Sequence, residues 1–367
     1  MQTEVLIVGG GLSGLHTAYE LHKKGIRFLL VEARRRLGGR ILSRNPGATE
    51  YDSTKAAYDL GPSWFWPGQI QMQSLIDELN LTASVFMQSS AGDALYEDNQ
   101  GNIQRGVGGV SMAGAYRIEG GLRKLVSGLE QKIPVEFLLS NAVVSAIELQ
   151  QDSLCATVNI DGAGKQIRCK NVVLALPPRL AVASIRFKPR LSQKRLEKLN
   201  TVATWMAGHA KIVAIYKNSF WNQAGFSGDV ISHRGPLQEI HDASSKNGEL
   251  NALFGFISVH AKYRRQRQDQ LREMAIAQLV RLFGESASKP TYIDIKDWAF
   301  DSNTVTDLDQ EILKFHPAND MSDVTEGSWQ HNLIWSGSES ADYRQHSNGF
   351  LEGALEASTR TVARLSS

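Results

Sequence analysis

Three observations on the 367-residue sequence predict an α/β fold built around a nucleotide-binding unit. A short apolar strand, Val5 to Val8, runs directly into Gly9-x-Gly11-x-x-Gly14. The pattern after it has helical spacing, with Leu15, Ala18, Tyr19 and Leu21 on one side, and then a second apolar strand, Phe28 to Val31, ends in Glu32. The composition, 42% hydrophobic and 21% charged, is that of an ordinary globular chain long enough for two domains or for one large domain with discontinuous halves.

The glycines have distinct tasks. Gly9 permits a tight turn, Gly11 lets the backbone approach a pyrophosphate at the helix N-terminus, and Gly14 allows close packing of helix on strand. A glycine pattern alone is weak, but the strand–turn–helix–strand context makes it specific for a dinucleotide. Glu32, at the end of the second strand, is placed to accept hydrogen bonds from a ribose diol, which disfavours a 2′-phosphate and hence NADP.

Several function classes are disfavoured. A net charge of +2 argues against a dedicated nucleic-acid binder, and the basic run KYRRQRQD at 262–269 reads as the solvated start of the helix that follows. Cys155 and Cys169 flank the turn IDGAGK, which predicts a hairpin, and lack zinc-type spacing. Nine histidines without an HExxH pair give no expectation of a metal site. No apolar run approaches a membrane span, and the first strand begins almost at once, so no leader peptide is expected. A cytoplasmic protein with reduced thiols, no membrane or nucleic-acid partner, and a monomeric or homodimeric state is the default expectation.

One later stretch is anomalous. MAGHAKIVAIYK at 206–217 reads as a strand covered on both faces, yet Lys211 interrupts it. Burying an ammonium is costly unless it is paired or deprotonated, so by itself Lys211 reads as a residue snorkelling at a strand end.

The words after the second strand carry a resemblance. Glu32, Ala33, Arg34, Arg36, Gly38, Gly39 and Arg40 match E-A-R-x-R-x-G-G-R, and the chain resembles the FAD-dependent amine oxidases, of monoamine oxidase type. Further motifs follow in the family's order: LGPSWFWPGQ (60–69), YRIEGGLRKLVSGL (116–129), VEFLLSNAVVSAIELQ (135–150), KNVVLALPPRLAVASIRFKPRLS (170–192), LIWSGSES (333–340) and NGFLEGALEASTRTVARL (348–365).

The resemblance implies an FAD-binding Rossmann-like domain of the glutathione-reductase type, over 1–80, 118–200 and 302–367. A mixed β-sheet plus helix substrate domain would take 81–117 and 201–301. It implies FAD held non-covalently by Gly9, Gly11, Leu12, Ser13 and Gly14, and by Glu32, Ala33, Arg34, Gly39 and Arg40. Gly61, Pro62, Ser63 and Trp64 would lie beside the flavin, Val143 at the adenine and Leu176 beneath the ring. Trp298, Ser338, Glu339, Gly349 and Phe350 would complete the site.

As a reaction it implies oxidation of a small amine by O2. Lys211, Phe350 and Trp298 are then the expected catalytic residues, Lys211 holding a water at the flavin and relaying protons. The family's second cage tyrosine is missing. Its slot, about ten residues after Trp298, falls at Leu308 or a neighbour, and Asp307 stands where some relatives carry a flavin-linking cysteine. Phe350 therefore reads as half a cage, or as plain core. Phe65 and Trp66, with Trp64 and Trp298, are candidate pocket walls, and Tyr343 and His346 are candidates to face substrate.

Only residues 82–115, part of them a predicted hairpin (ALYEDNQGNIQR), stand where larger relatives carry a helical insertion, so a more open pocket is expected, or one covered by oligomerisation. The monoamine oxidases' membrane tail is not expected. Desaturases and other oxidases share the fold, so a flavin dehydrogenase or desaturase acting on a non-amine, and an FAD-binding scaffold, stay open as alternatives.

Overall fold

The computed structural model describes residues 1–367 except 107–111, 314, 322–323, 325–326, 343 and 345–346. Tyr343 and His346 thus lie outside the described residues.

Five short parallel strands form the first sheet, in the order Leu333–Trp335, Asn171–Leu174, Val5–Val8, Phe28–Val31, Leu138–Leu139. Their nearly unbroken apolar runs reflect burial on both faces. Val5, Ile7, Phe28, Leu30 and Val173 pack against Leu15 of the helix Leu12–Lys23, Leu125 of Arg123–Lys132 and Leu355 of Leu351–Ser366. The alternate residues Leu6, Val8, Leu29, Val31 and Val172 pack against Val144, Ile147, Ala156 and Val158 of a four-stranded sheet. The predicted hairpin lies in that sheet, Leu154–Ile160 pairing with Ala163–Cys169. Its turn places Asp161 and Gly162 at φ 49° and 86°, the double positive φ of a tight two-residue connection. Cys155 faces Arg168 and Cys169 faces Leu154 across the ladder, so the period of two turns the two free thiols to opposite faces.

The third sheet has seven strands, in the order Tyr292–Asp297, Ala210–Tyr216, Asn251–Ile257, Leu237–Asp242, Phe226–Ser232, Asp93–Glu97, Ile103–Arg105. All pairings are antiparallel except Phe226–Ser232 with Asp93–Glu97. The last two strands are the hairpin expected in the shortened connection. Helix Gln268–Phe283, closed by Gly284 at φ 90°, covers one face through Leu271, Ala275 and Leu279 against Ala210, Ile212 and Ala214. Val213 and Ile215 face the other way, onto Tyr58 and Leu60. Ala210–Tyr216 is therefore buried on both faces, as its pattern predicts. Among the described residues no helix is long and apolar enough to cross a membrane.

The basic run at 262–269 is not simply a solvated face. Arg264 is 1% exposed. Its guanidinium donates two 2.7 Å hydrogen bonds to the Asp297 carboxylate, one of 2.8 Å to the Gly208 carbonyl, and another to the Val259 carbonyl. Asp297 also accepts from Ala299 N–H and so fixes the turn that carries Trp298. Arg264→Leu strands that carboxylate, and the expected loss is about 3–5 kcal/mol of unfolding free energy, read as a lower denaturant midpoint of the cofactor-loaded protein. The same change at exposed Arg265 is expected to shift the midpoint within error.

Candidate active site

One continuous cavity of about 950 Å³ runs from the first glycine turn to the seven-stranded sheet. At one end stands the helix Leu12–Lys23, capped at its N-terminus by Gly11 with no side-chain cap, so its first N–H groups and dipole are free for an anion. A Cβ on Gly9 would lie 2.5 Å from the Ala175 carbonyl oxygen, and one on Gly14 1.9 Å from that of Gly9. A Cβ on Gly11 would meet only the Gly39 Cα, at 4.0 Å, with the cavity beside it. Gly14 is thus a packing residue off the cavity wall, whereas Gly9, Gly11, Leu12 and Ser13 line it. Ser13 Oγ donates to the Ser336 carbonyl, tying the helix start to the last parallel strand.

Glu32 is buried and lines the cavity; its carboxylate accepts from the backbone N–H of Gly10 at 2.8 Å and of Arg34 at 2.9 Å. Ala33, Arg34, Gly39, Arg40 and Val143 line the same end. The arginines divide differently from the expectation of added positive charge. Arg34 is neutralised by Asp301, with Thr304 and Glu32 alongside. Arg36 is off the wall and holds the carbonyls of Leu37, Gly39 and Ile41; burial, then Arg34 and Arg123, bring its pKa down to about 10. Arg40 reaches the cavity, donating 2.9 Å to Ser338 Oγ and 2.6 Å to Glu339 Oε1. Glu339 Oε2 is buried without a hydrogen-bond partner. A groove with unpaired N–H donors, a ribose-type acid and an orphaned buried oxygen fits a dinucleotide.

Toward the seven-stranded sheet the wall is formed by Gly61, Pro62, Ser63, Trp64, Leu176, Ser338, Glu339, Gly349, Phe350, Trp298 and Lys211. Lys211 is 2% exposed. Its Nζ donates 2.6 Å to Ser63 Oγ and 3.2 Å to the Gly61 carbonyl, and sits 4.0 Å over the Phe254 ring. Burial, only partly offset by Asp59, lowers its pKa to about 7, with Arg117 pushing the same way. The strand-end snorkelling reading is overturned: although Lys211 is only the second residue of its strand, its side chain is buried and bonded to Ser63 and the Gly61 carbonyl rather than reaching water. Trp298 Nε1 donates 2.9 Å to the Leu60 carbonyl, holding the 60–64 segment against the cavity.

The aromatic positions differ in part from expectation. Trp64 and Trp66 line the cavity, but Phe65 points into the first core beside Tyr116. Leu308 does not fill the missing tyrosine's slot. A short turn at Asp307–Asp309, with Thr306 and Asp309 capping each other's N–H groups and Arg179 bound to Asp309, leaves Leu308 57% exposed. Its neighbours Ile312 and Leu313 line the cavity. His316, which is not on the wall, stacks on Phe350, at 4.5 Å between centroids and 7° between planes, with Trp205 edge-on to His316 and Trp66 edge-on to Phe350. His209, two residues before Lys211 and also on the wall, is kept neutral: burial, then Arg264, lower its pKa to about 4. The i, i+2 spacing from Lys211 was the signal for it. Trp205, also on the wall, had none, lying in an irregular segment.

A nucleotide-holding parallel sheet joined by one cavity to a mixed sheet with a desolvated lysine is the layout of a nucleotide-cofactor oxidoreductase. Comparison with known proteins narrows it. Residues 7–79 match the NAD(P)-binding Rossmann-like domain family, and residues 95–366 match the flavin containing amine oxidoreductases. A probable flavin-containing monoamine oxidase A of Dictyostelium discoideum is 25% identical over 80% of this chain and 83% of its own. The flavin-containing amine oxidase B of Cavia porcellus is 22% identical over 98% and 85%. Among solved structures, a wild-type putrescine oxidase bound to putrescine superposes with a TM-score of 0.79 at 19% identity, covering 99% of this chain and 98% of that one. The chain belongs to the flavin-containing amine oxidoreductase family, whose cofactor is FAD.

Proposed function

We propose that the protein oxidises a small amine to the imine, which water converts to a carbonyl compound and ammonia, and that dioxygen accepts the electrons as hydrogen peroxide. The observation that carries this reading is Lys211, a desolvated amine bonded to Ser63 and the Gly61 carbonyl where cavity and mixed sheet meet. Bound FAD supplies the two-electron chemistry. The chain's own part is to bind, orient and exclude water. Glu32 and the Gly11 turn would hold the adenosine and pyrophosphate, Arg40 and Ser338 the linking chain, and Gly61 to Trp64 the ring. Leu176, Gly349, Phe350 and Trp298 would bound the space in which the neutral amine lies.

Sheet membership supports the proposed division, since all seven strands of the mixed sheet fall within 81–117 and 201–301. Neither cysteine lines the cavity, which favours a non-covalent flavin, and two free thiols suit the cytoplasm.

The test is anaerobic mixing of the yellow holoprotein with an amine panel. An amine is expected to bleach the visible flavin band and acid to release intact FAD. Bleaching by an unsaturated substrate alone refutes amine oxidation; flavin precipitating with the chain refutes non-covalent binding.

A further inference from the structure

A row of cross-strand partners crosses the mixed sheet. Lys296, Lys211, Phe256, Glu239 and Ile231 are successive neighbours in the ladder. Partners on adjacent strands share a face, and at about 4.8 Å per strand the Glu239 backbone stands roughly 10 Å from that of Lys211. Lys211, Phe256, Glu239 and Ile231 all line the cavity.

Glu239 is not a stray surface acid. Its Oε1 meets His241 Nε2 at 2.7 Å, and His241 Nδ1 meets Asp229 Oδ1 at 2.7 Å. His241 and Asp229 are completely buried, whereas the Glu239 side chain keeps 30% exposure. The two carboxylates outweigh burial and raise the His241 pKa. His241 and Asp229 form the interior end of this hydrogen-bonded chain, and the Glu239 carboxyl is the end that lines the cavity. Aromatic rings surround it: the Trp64 ring stands edge-on to His241 at 5.1 Å, Phe256 lies between Glu239 and Lys211 in the ladder, and Phe254 is the ladder partner of His241. The neighbouring His209 is neutral and Lys296 is bound to Asp301, so neither offsets Glu239.

A carboxylate set among aromatic rings is costly to cover with an apolar tail and well made to receive a cation. We infer that the substrate carries a second ammonium group, as a diamine or polyamine does, and that Glu239 binds it while the first amine reacts near Lys211. This rests on the amine-oxidation reading and adds the substrate class.

The experiment compares anaerobic bleaching of the holoprotein by 1,4-diaminobutane and by 1-aminobutane, in wild type and Glu239→Gln. Wild type is expected to favour the diamine by about 100-fold in kcat/KM, the factor for one charge-assisted contact. Glu239→Gln should remove most of that preference while changing the monoamine rate no more than about threefold. Should Glu239→Gln fail to retain flavin, the wild-type ratio decides together with Glu239→Asp, which should keep a preference for the diamine. Equal rates for both amines in wild type, or equal losses for both in Glu239→Gln, overturn the assignment and leave amine oxidation standing. Bleaching by no amine at all refutes the underlying reading instead.

Discussion

Lys211→Met is expected to slow oxygen-dependent turnover by about 10²–10⁴-fold, the range for a lost acid–base group, while slowing anaerobic bleaching by amine far less. Electron transfer to dioxygen builds negative charge, which an ammonium in a dry cavity stabilises. With a pKa of about 7 the group is charged below that pH and neutral above it. The rate of reaction with oxygen should therefore fall as pH rises through about 7 in wild type, and that limb should vanish in Lys211→Met. Equal oxygen rates in the two proteins would reduce the lysine to a structural residue.

The same substitution should stabilise the fold. The lysine titrates near 10.5 unfolded and near 7 folded, so between those values the unfolded chain binds more protons and stability rises with pH. Below about 7 the full penalty applies, roughly 3–5 kcal/mol. Methionine removes that penalty but strands Ser63 Oγ and the Gly61 carbonyl, which costs about 1–3 kcal/mol. The net expectation is a higher denaturant midpoint at pH 6 and a lower one at pH 10, where the remaining penalty is under about 1 kcal/mol.

Gly11→Ala and Gly14→Ala should part company in a way that identifies which glycine meets the ligand. At Gly14 a Cβ lands 1.9 Å from the Gly9 carbonyl oxygen, so helix and turn must separate. Unfolding free energy of the flavin-free protein is expected to fall by about 1–3 kcal/mol or more. At Gly11 the new methyl projects beside the cavity with its nearest neighbour at 4.0 Å. Flavin-free stability should stay within about 0.5 kcal/mol, while FAD affinity drops of the order of 100-fold as phosphate contacts are lost. A Gly11→Ala protein that retains FAD with wild-type affinity would place the pyrophosphate elsewhere.

Much of this site was legible in the residues because its grammar is local. The turn needs glycine at fixed offsets from one strand and one helix, the ribose acid ends the next strand, and every contact of Glu32 with Gly10 and Arg34 lies within 22 residues of chain. The lysine was legible as an exception to an apolar strand. The cage was not. Leu308 was placed by counting from Trp298, but the intervening chain winds into a capped turn that a count cannot foresee, and its neighbours Ile312 and Leu313 reach the cavity wall instead. Arg264 misled for a related reason, since a basic run looks solvated until Asp297, 33 residues on, comes to face it.

By itself the sequence determined the α/β class, the dinucleotide end of the cavity and the burial of the strand that bears Lys211, because periodicity and glycine sterics act over a few residues. Tertiary structure alone decided what stands opposite Lys211. The ladder slips by one residue between Leu237 and Glu239. That irregularity leaves Leu237 in the helix-side core and turns Glu239 to the cavity, with His241 on the same face beside Trp64. Side chains alternate with a period of two, so one inserted residue reverses the face of everything after it, and no local pattern records where the insertion falls.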